Sequence, residues 1–206
     1  DADADGSVDR GWGTVVVSTG AGAKPLSIDV PHPIHDTGTP EQGIAVFKGT
    51  SARTFVMAGA HRHANVAASP CQGEYGIADA AHNAAHTFQA ATEALDAFYD
   101  GLGVRFTAVQ FHGMGETTCP TVDVYVTHGT LRTPLANSVV DQLKTTLAAA
   151  LPGGTSWEIA APGDAATCSM SGTDNVQGRL LNGVPAGAVC STKAPQYTGN
   201  FVHIEQ

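Results

Sequence analysis

The segment Ile28–Glu41, IDVPHPIHDTGTPE, decides how this chain folds. An apolar, β-branched run (Ser27, Ile28, Asp29, Val30) enters it and reads as a strand. Pro31 and Pro33 break that run and leave a turn carrying His32, His35 and Asp36. A helix start follows, with Thr37 or Thr39 as N-cap, Pro40 at the first helical position and Glu41 in the first turn. A strand ending in two imidazoles and a carboxylate, with a helix directly behind, is half of a metal site. His112 and Glu205 are expected to supply the other half.

Outward from this segment, apolar runs alternate with helical periodicity. Thr14–Ser18 reads as a strand buried on both faces, Thr54–Ala60 as another, and Thr107–Phe111, Val122–Val126, Trp157–Ala160 and Phe201–Glu205 as further strands. Phe88, Ala91, Leu95, Phe98, Tyr99 and Leu102 recur at 3–4 spacing and predict a helix over 83–102; Val139, Val140, Leu143, Leu147 and Leu151 predict one over 136–151. Residues 161–198 read as loop. The pattern predicts an α/β class: a single three-layer domain over 1–206, with a mostly parallel, mixed sheet covered by helices, and 1–11 as a flexible lead. In such sheets ligands gather beyond the carboxyl ends of strands. The polar clusters His32/His35/Asp36, His61–Asn65, His112, His128 and Glu205 all fall there.

The chain has 206 residues, with Lys+Arg 10 and Asp+Glu 19, a formal charge of −9. That balance excludes a nucleic-acid partner, which needs a basic surface. No run is apolar enough to span a membrane, and the polar start DADADGSVD reads as a processed, mature N-terminus. Cys71, Cys119, Cys168 and Cys190 form no CxxC pair and lie in Gly/Pro/Ser/Thr-rich segments, so two disulfides and a secreted, extracellular location are expected. The expected pairing is Cys71–Cys119 and Cys168–Cys190. The chain is expected to act as a monomer.

Catalytic zinc takes three protein ligands and keeps a further position open. His32, Asp36 and His112 supply that number. Glu205, at the end of a buried strand, is desolvated, which raises its pKa and suits a general base. His82 and His86 stand at i, i+4, but Asn83 occupies the place of the glutamate in HExxH, so His82 and Asp79 are read as supporting or substrate contacts. Arg62, between His61 and His63, and Arg179 are candidate contacts for an anionic substrate group, with Asn65 beside them. His128 and His203 carry less signal; His203 shares a side of its strand with Phe201 and Glu205.

The pattern His32-x-x-x-Asp36-x-Gly38-Thr39-x-Glu41, a strand ending Gln110-Phe111-His112-Gly113, and a terminal Ile204-Glu205 together resemble the zinc-dependent carboxypeptidase-like amidohydrolases. Within that group they are most similar to poly-γ-glutamate hydrolases, with N-formylglutamate amidohydrolase a relative. The resemblance implies a carboxypeptidase-like (phosphorylase/hydrolase-like) fold, Zn2+ on His32, Asp36 and His112, Glu205 as general base, and a peptide or polyamide substrate with anionic groups. The acid here is Asp, four residues after His32, where the relatives have Glu at other spacings; His35 and Glu41 are therefore alternative ligands. Two other readings stand beside amide hydrolysis. Pro31-His32-Pro33-x-x-Asp36 echoes the HPDD loop of metal-dependent carbohydrate deacetylases, although Ile34 and His35 occupy the acid positions. A non-catalytic binding module on a hydrolase scaffold is the third.

Overall fold

The computed structural model describes residues 12–166 and 168–206; the expected flexible lead, 1–11, lies outside them. The chain forms one seven-stranded mixed sheet, order β1-β3-β2-β4-β7-β5-β6. The strands are β1 (Thr14–Val17), β2 (Lys24–Val30), β3 (Ala52–Met57), β4 (Thr107–His112), β5 (Val124–Thr127), β6 (Ile159–Ala160) and β7 (Phe201–Glu205). Strands β3, β2, β4 and β7 run parallel; β1 pairs antiparallel with β3, and β5 antiparallel with β7.

Helices α1 (Thr39–Thr50), α2 (Thr87–Gly101), α3 (Val139–Ala150) and α4 (Val176–Leu181) complete the fold. The period-2 alternation of the strands sorts the core. Ile28, Val30, Phe55, Phe111, Val202 and Ile204 form one apolar layer, with Val46 and Phe47 of α1 and Val139 and Leu143 of α3 packed on it. The opposite face carries Val56, Ala108 and Phe201 against Phe88 and Tyr99 of α2 and Leu181 of α4. The result is a three-layer α/β domain.

Several expectations change. Thr14–Val17 is an exposed edge strand rather than a buried one: Val15 and Val17 are each 57% exposed. An unbroken valine run suits an edge as well as a centre, and periodicity cannot separate them. The helix expected from residue 83 begins at Thr87, capped by His86, whose Nδ1 accepts from Phe88 N–H at 3.1 Å. His82 therefore precedes the helix, and the i, i+4 pairing with His86 on one helical face does not exist. The 161–198 segment contains α4 and a 3-10 turn at Ala186–Ala188. The disulfides are Cys71–Cys190 and Cys119–Cys168, not the expected pairs. The expected pairing favoured cysteines closer together in sequence, whereas the fold brings the 71 region against the segment after α4, where both cysteines pack around Val176, Val184 and Val189. The disulfides are compatible with an oxidising compartment. No helix among the described residues is long and apolar enough to cross a membrane.

Candidate metal centre

Three strand ends build the site. After Val30 the chain makes one tight turn in which Asp36 N–H donates to His32 C=O at 2.9 Å. Residues four apart in such a turn share a side, and Asp36 Oδ2 stands 3.2 Å from His32 Nδ1. Gly38, at φ 85°, then reverses into α1 through a left-handed conformation that suits glycine. Thr39 Oγ1 donates to Asp36 C=O at 2.7 Å and holds the turn in place. The parallel pairing of β4 with β7 sets His112 beside Glu205 and Gln110 beside His203. Since alternate residues share a face, all four point to the α2–α4 side. His112 Nδ1 lies 3.6 Å from the same Asp36 Oδ2. His32, Asp36, His112, His203 and Glu205 are all buried.

Hydrogen bonds fix where the protons lie. Gly178 N–H donates to Asn175 Oδ1, so Asn175 offers its Nδ2 to Gln110 Oε1. Gln177 Nε2 donates to Ala80 C=O at 3.0 Å, leaving its Oε1 to accept from Gln110 Nε2. Gln110 Oε1 is therefore an acceptor, and it faces His112 Nε2 at 2.8 Å. His112 carries its proton on Nε2 and aims the Nδ1 lone pair at Asp36. Burial, reinforced by the nearby His203 and His32 rings, holds the His112 pKa well below the usual range, so the ring is neutral.

At His32 the outer nitrogen, Nε2, lies 2.9 Å from Asp79 Oδ1. Burial alone would raise the Asp79 pKa, but hydrogen bonds from His32 and His82 outweigh it and keep the carboxyl ionised. Burial disfavours charge on His32, while the bonds to Asp36 and Asp79 favour it, and the net shift is upward. The two carboxylates thus call for positive charge at this ring. Arg62 contributes some: Nη2 is 2.5 Å from Asp79 Oδ2 and Nη1 is 3.4 Å from His32 Nδ1. A guanidinium only donates, so Nδ1 accepts in that contact whenever His32 is neutral.

With His32 neutral, two lone-pair nitrogens and a carboxylate oxygen face one another inside the protein. A proton on His32 or a metal cation relieves the repulsion within such a trio, and its donors suit an ion taking nitrogen and oxygen. Both outward nitrogens are tied to oxygen acceptors, as metal-bound histidines usually are. The trio is one of four groups of His, Asp or Glu that could hold a metal ion among the described residues. A second, His32/Asp79/His82, competes for the other nitrogen of His32, but there Asp79 is already paired with Arg62. A third, His112/His203/Glu205, adjoins the first, and the fourth is His35/His61/His63.

Glu205 is unusual. Burial, with Asp36 nearby, pushes its pKa up to about 9. Its Oε1 lies 3.4 Å from His203 Nε2, and burial holds His203 neutral with a pKa of about 3. Glu205 Oε2 and His203 Nδ1 are buried with no hydrogen-bond partner among the described residues. Buried polar atoms are normally paired, so these two mark a place for a ligand or water. They line a cavity of about 260 Å³ walled by Arg62, Tyr75, His82 and the 169–175 segment. Gly172, at φ 68°, presses on His203; a Cβ there would stand 2.8 Å from the ring.

The fold brings His32, Asp36, His112, Glu205 and Arg62 together and separates other expected residues. His35 turns outward to His61 and His63, away from the trio. Glu41 is exposed in the first turn of α1 and belongs to none of the four groups. Asn65 is buried and its Oδ1 accepts from Ala67 N–H at 3.0 Å, within its own loop. Arg179 is no anion contact: it is buried, with its guanidinium spent on Thr173 C=O, Val189 C=O and Asp174. Sequence reasoning gave little weight to His203 and assigned no role to Tyr75, Gln110 or Asn175. A glutamine inside the apolar run TAVQF was the available signal for the amide chain.

No protein-family model matches the chain, and no curated protein matches it. Among solved structures it is similar to the crystal structure of gene product Atu2144 from Agrobacterium tumefaciens, with a TM-score of 0.51 and 13% identity over 95% of this chain and 83% of that one. That likeness extends to the α/β fold alone.

Proposed function

We propose that the chain is a secreted, zinc-dependent hydrolase that cleaves an amide bond, with His32, Asp36 and His112 as the metal ligands. The observation that carries this reading is the convergence of two imidazole Nδ1 atoms on one oxygen of Asp36, at 3.2 and 3.6 Å. The chemistry such an ion supplies is Lewis acidity, which polarises a carbonyl and makes water nucleophilic near neutral pH. Glu205 then acts as general base. It accepts a proton from the attacking water as the new C–O bond forms and returns it to the nitrogen as the C–N bond breaks. A base must be ionised, and a cation held beside Glu205 lowers its raised pKa toward neutrality. His203 orients that carboxylate.

Arg62 is the anchor for an anionic substrate group. Its side chain is 20% exposed at the cavity, and its Nε has no partner among the described residues. A cavity of about 260 Å³ admits one aminoacyl-sized group at a time. These features favour a polyamide with carboxylates close to the scissile bond, such as poly-γ-glutamate or an acidic peptide. The test is metal content per chain, followed by hydrolysis of poly-γ-glutamate and acidic peptides with and without chelator. Chelator-sensitive release of amines supports the proposal. Bound zinc with release of acetate from amino-sugar substrates instead would place the chain among the deacetylases. Bound zinc with no hydrolysis of either would leave a binding module.

A further inference from the structure

We infer that His35, His61 and His63 form a second, solvent-exposed binding site for a first-row transition cation of the zinc, copper or nickel type. It shares no residue with the buried trio. The sheet itself brings these rings together. Strands β2 and β3 are parallel neighbours with Val30 paired to Met57, so the turns that follow them leave the sheet side by side. His35 lies in the first turn, and His61 and His63 in the second. A tight turn, closed by Ala64 N–H donating to His61 C=O at 2.8 Å, sends the two histidines outward and Arg62 inward to Asp79.

The three ring centroids stand 5.2, 5.0 and 5.3 Å apart, a nearly equilateral triangle. One nitrogen from each ring lies within 4.8 Å of the others. His35 and His63 are exposed and His61 is half-buried, so among the described residues the outer side of the rings is left open. Coordination at about 2.0–2.1 Å requires the nitrogens to close by an ångström or so, which exposed side chains achieve by small rotations. The bond from His63 N–H to His61 Nδ1, 3.0 Å, is exposed, so water can replace it if that nitrogen is needed. Three imidazoles with no hard oxygen ligand select zinc, copper or nickel over calcium or magnesium, and the open side leaves coordination positions for water.

The experiment measures copper(II) and zinc(II) bound to the metal-free chain by calorimetry and elemental analysis, with electron paramagnetic resonance of the copper form. Wild type is compared with His61→Ala/His63→Ala and with His112→Ala. The rim site predicts that His61→Ala/His63→Ala binds one fewer equivalent than wild type and loses a copper signal with nitrogen hyperfine structure. Stoichiometry and spectrum unchanged by that double substitution would overturn it. The His112→Ala arm reads the buried centre separately: loss there, with the rim signal kept, leaves both sites standing. Unchanged binding in His112→Ala would count against the buried ligand set alone. The exposed double variant decides the rim site even if His112→Ala fails to fold.

Discussion

At the scale of single residues, the centre depends on where protons are. In the proposed centre, Asp79 and Gln110 face the outer nitrogens of His32 and His112, and with His32 neutral the Nδ1 lone pairs of both rings face Asp36. Gln110→Ala removes the acceptor for His112 and leaves Asn175 without its partner. We expect metal affinity to fall roughly 10–100-fold, as for other residues that support a ligand, with Gln110→Glu restoring part of it. Competition with a chromophoric chelator measures this. Glu205→Gln preserves shape and removes the proposed base; under the proposal it keeps metal binding and loses about 10²–10⁴ in kcat. Loss of metal in Glu205→Gln would instead make the carboxylate a ligand. The meeting of His32, Asp36 and His112 was legible because metal-ligating residue types sat at strand ends. Gln110 and Asn175 were not, because their role comes from a chain of amides that closes only in three dimensions.

At the scale of elements, the parallel pairing of β4 with β7 does the positioning, and neither strand's sequence announces that partner. The α/β alternation, the strand carrying Ile28–Val30 and both long helices were readable from periodicity. Edge against centre for Thr14–Val17 was not, since neighbours decide exposure. Nor was α4, six residues long and too short for a periodic signal.

Two further predictions belong at this scale. Asp29 lies on the same face of β2, fully buried, bonded by Ser27 Oγ at 2.5 Å, and burial lifts its pKa from 3.8 to about 7. The folded state therefore holds this proton more tightly than the unfolded chain. Ionisation costs stability that is absent below the unfolded pKa and complete above the folded one. Asp29→Asn should be near neutral at about pH 4 and more stable than wild type at about pH 8, by an amount on the order of a few kcal/mol. Urea denaturation across that window checks the sign; a constant difference would contradict the burial account. In the 169–175 wall, Gly172→Ala forces a Cβ against His203 at a positive φ. It should destabilise the fold by about 1–3 kcal/mol and lower turnover by displacing the neighbour of Glu205.

At the scale of the whole molecule, two disulfides tie loops around the site to one another. Cys71–Cys190 joins positions 119 apart, and Cys119–Cys168 anchors the start of the segment that walls the cavity. Opening Cys119–Cys168 by substitution should cost about 2–5 kcal/mol and raise KM more than it lowers metal content, because the wall loosens while the turn after β2 and the end of β4, which carry the proposed ligands, stay in place. Pairing was illegible in sequence, since four cysteines in similar loops carry no record of which loops meet. The net charge of −9 also shapes the whole surface. An anionic polymer would be repelled except where Arg62 meets it, so its hydrolysis should speed up with added salt at low ionic strength.

The most direct test is a crystal grown with zinc and measured on both sides of the zinc absorption edge. The account predicts an anomalous peak at about 2.0–2.2 Å from His32 Nδ1, an Asp36 oxygen and His112 Nδ1. A peak between His32 Nε2, Asp79 and His82, or none near His112, would contradict it.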